Sequence, residues 1–551
     1  MPIMNESSSA GARNGQRQAY ESSQETECKL VFSRSRITNY RTLAGKLSVS
    51  AADRDALERA VILAAYKRWG ADFGSRLYGR FAAVIRDEEK DELILVRDHF
   101  GLEPLYYAEY NGELFYSDSL RALLRTCPLP PVLNESALSS YFLYGYLAGS
   151  DTFFRGVRKL MPGHTLVWSC RERRFVSDMR WFAPTFEKDD SVSERGWLYI
   201  LGGVIKSIFR DEQEDIAEFD PVCLLSSGVD SACLLAASGI RRAMGIGFRE
   251  TEHSEVQEAE ETATALDRSF SAAVVSREDF FAAFQKVMGT IDQPIVNPSI
   301  PVIFSALEKN AGKTALFYSG EGIDEFFGGY FHPYVRTPLR IDRERPYLGF
   351  GQFMPENTVK KLLKTECCGP ICALHEEIFA DTESSGTLSS YLRTDISLFL
   401  EGDTCAYIAY LRRTLGLDIR QPFADPRLFE AASQIPDELL LHTVEANGSR
   451  LCIGKYIFRE NALRYLPLGA AFRAKKPFIT PVRRWMEDPT ARVAFEQLLF
   501  SECSAAFFRQ DFLKELWERY VSGESGLWKC VYAIGAFVCW YESIFEDGET
   551  R

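Results

Sequence analysis

Several features are missing from this 551-residue chain, and each absence removes a class of protein. No apolar run is long enough to span a bilayer. The longest near the carboxyl end, Cys530 to Tyr541, reads as a buried core helix, and no membrane partner is expected. There is no basic excess: 64 Lys and Arg stand against 77 Asp and Glu, a net charge of −13 that argues against nucleic acid as a partner. The 13 cysteines do not fall at framework spacings, which predicts reduced thiols in a cytoplasm. Cys367, Cys368 and Cys372 lie near His375, but no second Cys or His pair stands at zinc-finger distance. The first 27 residues are polar, with no apolar core of a signal peptide, and read as a flexible, solvated tail. With 46% hydrophobic residues, 13% of the chain aromatic, the sequence can bury a large core and should form two or more domains.

The most informative stretch is Pro221-Val-Cys-Leu-Leu225-Ser226-Ser227-Gly228-Val229-Asp230-Ser231, followed by an alanine-rich apolar run. It predicts a strand, a tight loop and a helix. Such a loop joins free backbone N–H groups to the positive end of a helix, a site for phosphate, and Gly228 allows close approach. An ordinary strand-to-helix turn would have the same local pattern. Tyr318-Ser319-Gly320-Glu321-Gly322-Ile323-Asp324-Glu325-Phe326-Phe327-Gly328-Gly329-Tyr330 changes the balance, following a second strand-like run at Thr314 to Phe317. Four glycines and three acids in that span are costly for a plain turn or a core segment. Loops at the ends of parallel strands converge on one crevice, so Asp230 and Asp324 are read as facing a common magnesium–pyrophosphate.

These two motifs, in this order, resemble the ATP-pyrophosphatase loop and the acidic loop of the asparagine synthetase superfamily, which includes β-lactam synthetases and lasso-peptide macrolactam synthetases. The resemblance runs from about Leu30 to about Trp485. Ser227 departs from it, standing where the family usually has glycine; the hydroxyls and the aspartate remain. The fold class it implies is α/β and α+β: an N-terminal truncated Ntn-hydrolase-like β-rich domain at 28–188, then an adenine-nucleotide α-hydrolase-like (ATP-pyrophosphatase) parallel sheet with a helical C-terminal part at 189–551. The alternation of elements after the charged segment Pro184 to Arg195 independently argues for a parallel, helix-covered sheet.

In the first domain, Arg97-Asp98-His99-Phe100-Gly101-Leu102-Glu103-Pro104-Leu105-Tyr106-Tyr107 resembles a segment of the family's glutaminase domain. The family's nucleophile there is an amino-terminal cysteine, whereas here Pro2 follows Met1 and the first cysteine is Cys28. The residues after Cys28 resemble a part of the domain well downstream of the nucleophile. Asn111-Gly112-Glu113 looks like the glutamine-binding segment but falls at a different place. A structural, degenerate domain without ammonia production is expected.

Further on, Gly312-Lys313-Thr314 imitates the end of a Walker loop, but Leu307 stands at its first glycine and Thr314 opens a strand. Asp418-Ile-Arg420-Gln-Pro-Phe423-Ala-Asp425 looks like a structural family segment. Arg473-Ala-Lys475-Lys476-Pro-Phe478 matches the position of the family's catalytic lysine, with Lys475 the better aligned and Lys476 its rival.

The resemblance implies an ATP- and Mg2+-dependent amide ligase that forms an acyl-adenylate and pyrophosphate. Asp230 and Asp324 would hold the metal, and Ser226, Ser227, Gly228 and Ser231 the pyrophosphate. Leu225, Gly247, Ser319 and Gly320 would line the adenosine pocket, Lys475 would stabilise developing charge, and Glu321 would take the proton of the attacking amine. Loss of an ammonia source points to a peptide or small-molecule substrate carrying both carboxylate and amine, a macrolactam synthetase served by a precursor-processing protease. The alternatives are an ammonia-dependent asparagine synthetase, a β-lactam synthetase-like enzyme and, from another class, a non-catalytic nucleotide-binding regulator.

Overall fold

The computed structural model describes residues 28–147, 149–249, 255–330, 353–365, 387–446, 449–474, 478 and 480–546. The chain forms two compact units: Met1–Ala137 with Ala148–Ala183, and Leu138–Leu147 with Pro184–Arg551. The predicted tail, the Cys367–His375 cluster and the Lys475/Lys476 pair lie outside the described residues.

The first unit is built on β1 (Cys28–Ile37), β2 (Gly79–Asp87), β3 (Glu92–Arg97), β4 (Tyr106–Tyr110), β5 (Glu113–Ser117), β6 (Val157–Lys159), β7 (His164–Ser169) and β8 (Arg174–Arg180). One antiparallel sheet has the order β1-β2-β3-β7-β8, the other β5-β4-β6. The unbroken apolar run Phe81-Ala-Ala-Val-Ile85 arises because β2 is covered on both faces. Phe81, Ala83 and Ile85 join a core with Val61, Ile62 and Tyr66 of the helix Arg54–Trp69, while Ala82 and Val84 join one with Leu105, Leu114 and Leu160. Asn111 and Gly112, both at positive φ, make the two-residue turn between β4 and β5.

The resemblance segment in this unit is a backbone organiser. Arg97, 2% exposed, donates to the carbonyls of Glu103, Leu160 and Gly101 at 2.6, 2.7 and 2.9 Å. The Asp98 carboxylate accepts N–H groups from Phe81, Phe100, Leu102 and Glu103. Both side chains satisfy buried polar backbone that the turn leaves without partners.

The second unit contains the 26-residue helix Glu194–Phe219, capped by the Ser193 hydroxyl and ended by Asp220 in the left-handed region. Its sheet comprises β9 (Val222–Leu224), β10 (Arg242–Phe248), β11 (Ser269–Val275), β12 (Leu316–Tyr318) and β13 (Asp418–Arg420), in the order β11-β10-β9-β12-β13, with every pair parallel. The strand order reverses between β9 and β12, so the loops after those two strands open beside each other at the topological switch point. Arg420 closes the edge as a buried hub, bonded to Glu212, Asp215 at 2.7 Å, Asp418 at 2.9 Å and the Tyr318 hydroxyl. Asp425 caps the helix Pro426–Gln434, which agrees with the structural role expected of the Arg420–Asp425 segment.

Past the sheet, a hairpin of β14 (Leu441–Ala446) and β15 (Ser449–Gly454) runs directly into Lys455 and the helix Tyr456–Ala462. The carboxyl-terminal apolar run becomes the helix Trp528–Glu546, in which Val531 to Phe537 include six fully buried side chains or backbones packed beside the helix Arg277–Thr290. Among the described residues no helix is long and apolar enough to cross a membrane. Thr314 sits in the connection before β12 and Lys313 reaches Asn310, so the Walker-like triplet builds no phosphate loop.

Candidate active site

The loop after β9 is closed on itself by hydroxyls. The Ser226 N–H donates to Ser231 Oγ at 3.1 Å, the Gly228 N–H donates to Ser226 Oγ at 3.2 Å, and Ser231 Oγ donates to the Gly228 carbonyl at 3.4 Å. Gly228 is the N-cap of the helix Val229–Ser238 and offers no side chain to its first N–H groups. These donors and the helix dipole therefore face the crevice as an anion site. The second loop presses against this helix: a Cβ on Gly320 would lie 2.9 Å from the Ser231 nitrogen and 3.1 Å from the Asp230 carbonyl carbon. Only glycine allows that approach.

Asp230 and Asp324, separated by almost a hundred residues, meet at one cation. The ammonium of Lys455 lies 2.5 Å from Asp230 Oδ2 and 2.7 Å from Asp324 Oδ1. Lys455 is 2% exposed and adopts the left-handed conformation, φ 59°. Burial alone would lower its pKa, but the two carboxylates outweigh that and hold it above the ordinary lysine value, so it is charged. Gly329 packs against this bridge so tightly that a Cβ there would fall 1.8 Å from Asp324 Oδ1 and 2.2 Å from Lys455 Cε.

A cleft of about 440 Å3 opens here, lined by Leu225, Ser226, Gly228, Asp230, Ser231, Ser319, Gly320, Glu321 and Asp324, with Lys455, Arg459 and Arg473. Nine of the expected site residues thus share one cavity. Two do not line it. Ser227 gives its hydroxyl and N–H to Glu255 Oε2, at 2.6 and 3.0 Å, which turns them away from a pyrophosphate. Gly247 is replaced on the wall by Gly245, two residues earlier and on the same face of β10.

Glu321 lies within reach of the Ser319 hydroxyl at 3.5 Å. Beside it, burial, reinforced by Asp324 and Glu321, pushes the Glu325 carboxyl above the usual carboxylate range, and Glu325 accepts from the Tyr330 hydroxyl at 2.9 Å. Asp403 and Tyr407 also line the cleft. Sequence reading missed Lys455, Arg459 and Asp403. A lysine at the head of the apolar stretch Tyr456-Ile-Phe458 was the available signal, since burying it demands a counter-charge.

Among the described residues no group of three or more Asp, Glu, His or Cys gathers as a metal cluster. Two carboxylates converging on one cation are still a fitting donor set for a hard divalent ion that completes its shell with phosphate oxygens and water.

A parallel sheet with an anion-binding loop and paired acids at its switch point defines a nucleotide-handling α/β enzyme. A family model described as asparagine synthase matches residues 216–542, and one described as a glutamine amidotransferase domain matches residues 12–181. The chain belongs to the asparagine synthase family. It is 24% identical over 524 residues to asparagine synthetase [glutamine-hydrolyzing] 1 of Bacillus subtilis, covering 87% of this chain and 80% of the relative. Asparagine synthetase B of Escherichia coli is 24% identical over 471 residues, 82% and 69% of the two chains. Amidase chry2 of Gibberella zeae is 26% identical over 298 residues, 49% and 42%. The chain is a carbon–nitrogen ligase of asparagine synthetase type, a class that uses ATP and releases AMP and diphosphate.

Proposed function

We propose that this ligase adenylates a substrate carboxylate and closes the amide with an amine carried by the substrate itself, as a macrolactam synthetase does. The observation that carries the adenylation reading is the convergence of Asp230 and Asp324 on one buried cation beside the Ser226–Ser231 loop. Mg2+ bound between these carboxylates would supply charge neutralisation for the departing pyrophosphate. Ser226, Gly228 and Ser231 shape the loop that would hold that pyrophosphate against the uncapped first N–H groups of the helix Val229–Ser238, and Leu225 and Gly245 would border the adenosine. Lys455, charged and preorganised, stabilises the anionic oxygens as charge builds on them. Lys475 retains the role the family resemblance gives it, and Glu321 accepts the proton of the attacking amine.

The reading of the amine rests on the first unit. Cys28 is buried within a core, and its thiol is pushed up by burial and by Asp87, the reverse of an activated nucleophile. Asn111-Gly112 is a hairpin turn. The substrate is therefore proposed to carry both reacting groups, delivered by a precursor-processing protease. Asparagine formation from free ammonia is the second reading, favoured by the names of relatives that match over most of the chain.

The test supplies ATP and Mg2+ with either L-aspartate and 15N-ammonium, or linear peptides bearing an amino-terminal amine and a side-chain carboxylate. A peptide product lighter by one water, with AMP and pyrophosphate, is expected, and Asp230→Ala and Asp324→Ala should reduce release to background. Labelled asparagine with no peptide cyclisation would overturn the macrolactam reading; release unaffected in either variant would overturn the site.

A further inference from the structure

One wall of the cleft is a π-helix. Residues Asp395–Cys405 run for 11 residues in this form between the α-helices Thr387–Thr394 and Ala406–Leu415. Such stretches are rare, are ordinarily single turns, and recur at functional sites. Here the widened turns set Phe399, Asp403 and Thr404 on the cavity wall, continued by Tyr407 from the following helix. Gly402 on the same segment admits the ring of Tyr146, which a Cβ would meet at 2.4 Å.

Asp403 is 5% exposed and faces the cleft. Asn297 Nδ2 donates to its Oδ1 at 2.9 Å, and the Asn297 side chain is itself fixed by accepting the Ser299 N–H at 3.0 Å. Among the described residues Asp403 makes no ion pair. Among the described residues, the cations lining the cavity are committed elsewhere: Lys455 to Asp230 and Asp324, Arg459 to the carbonyls of Gly454 and Ala471, and Arg473 to those of Ser227 and Glu258. Burial pushes the Asp403 carboxyl up to about 7 against the help of Asn297. A buried carboxylate facing an open cavity without a counter-charge is costly unless a ligand brings one.

We infer that Asp403, held by Asn297 and presented by the π-helix, is the recognition site for a primary ammonium group of the substrate. A compact ammonium with three donors suits one carboxylate with the neighbouring Thr404 hydroxyl, whereas a divalent metal would need more oxygen ligands. The inference rests on the ligase reading for its place in catalysis: Asp403 and Glu321 line the same cleft, and both carboxylates act on Tyr407. Asp403 is a binding residue that selects substrates with a free amine.

The test measures binding of n-propylammonium, n-propylguanidinium and n-butanol to the full chain loaded with Mg2+ and a non-hydrolysable ATP analogue, by saturation-transfer NMR. Wild type should prefer n-propylammonium to n-butanol at least tenfold, and Asp403→Asn should remove that preference while still binding the nucleotide. Wild type showing no preference, or preferring the guanidinium, overturns the inference even if the variant fails to fold. An unchanged preference in a folded Asp403→Asn overturns it too. Substrate-dependent pyrophosphate release is scored separately, so ammonium selection without release would sink the ligase mechanism and leave this site standing.

Discussion

Gly329 illustrates how much of the site depends on atoms that are absent. Its hydrogen leaves room for Asp324 Oδ1 and Lys455 Cε, both of which a methyl group would displace. Gly329→Ala should therefore leave the circular dichroism spectrum unchanged but cut substrate-dependent pyrophosphate release by roughly 10²-fold or more, the scale of losing one preorganised charge. Activity near wild type would show that the bridge tolerates displacement. Asp230 and Asp324 were legible in the sequence because glycine-rich acidic loops are conspicuous. Lys455 was harder to read, because the apolar stretch after it signals burial but not its partners, which are 225 and 131 residues away. Ser227 was misplaced for a similar reason: that Glu255 would claim its hydroxyl depends on where the following helix docks.

At the scale of elements, the parallel sheet was readable from alternation, and β9 and β12 fall on the two strand-like runs that precede the glycine-bearing loops. The π-helix was invisible, since no residue pattern in Asp395–Cys405 marks a widened turn, and the close approach of Gly402 to Tyr146 is a tertiary contact. Another element-scale feature makes a pH prediction. His99, between β3 and β4, is buried among Trp181, Phe182, Phe100 and Tyr78, and burial lowers its pKa from 6.5 to about 3. The folded unit keeps it neutral, while the unfolded chain takes up a proton below about pH 6.5. Its contribution is complete above that pH and is lost as pH falls towards 3, at about 1.4 kcal/mol per unit. Thermal unfolding at pH 7 and pH 5 should show a larger drop in midpoint for wild type than for His99→Phe; equal drops would mean that His99 is protonated in the folded state.

For the whole molecule, two compact units with separate cores can carry separate fates. The first matches a glutamine amidotransferase model, yet its first cysteine lies in a buried strand position. Incubation with labelled glutamine should yield no glutamate above background in wild type or Cys28→Ala. Turnover that vanishes in Cys28→Ala would restore a working glutaminase and return ammonia as the nitrogen donor.

The bridge of Lys455 between Asp230 and Asp324 also fixes how the resting enzyme handles its own repulsion. Two partly buried carboxylates facing each other would push the loops after β9 and β12 apart. The lysine supplies a built-in counterion, so the crevice is already assembled before any substrate arrives. Because the ammonium reaches it from the end of the β14–β15 hairpin, a third segment far along the chain is fastened to the same point. When a dication and a polyphosphate enter together, charges of both signs are added at once. The lysine would then need only to exchange a carboxylate oxygen for a phosphate oxygen, a small movement in a site whose framework is already in place.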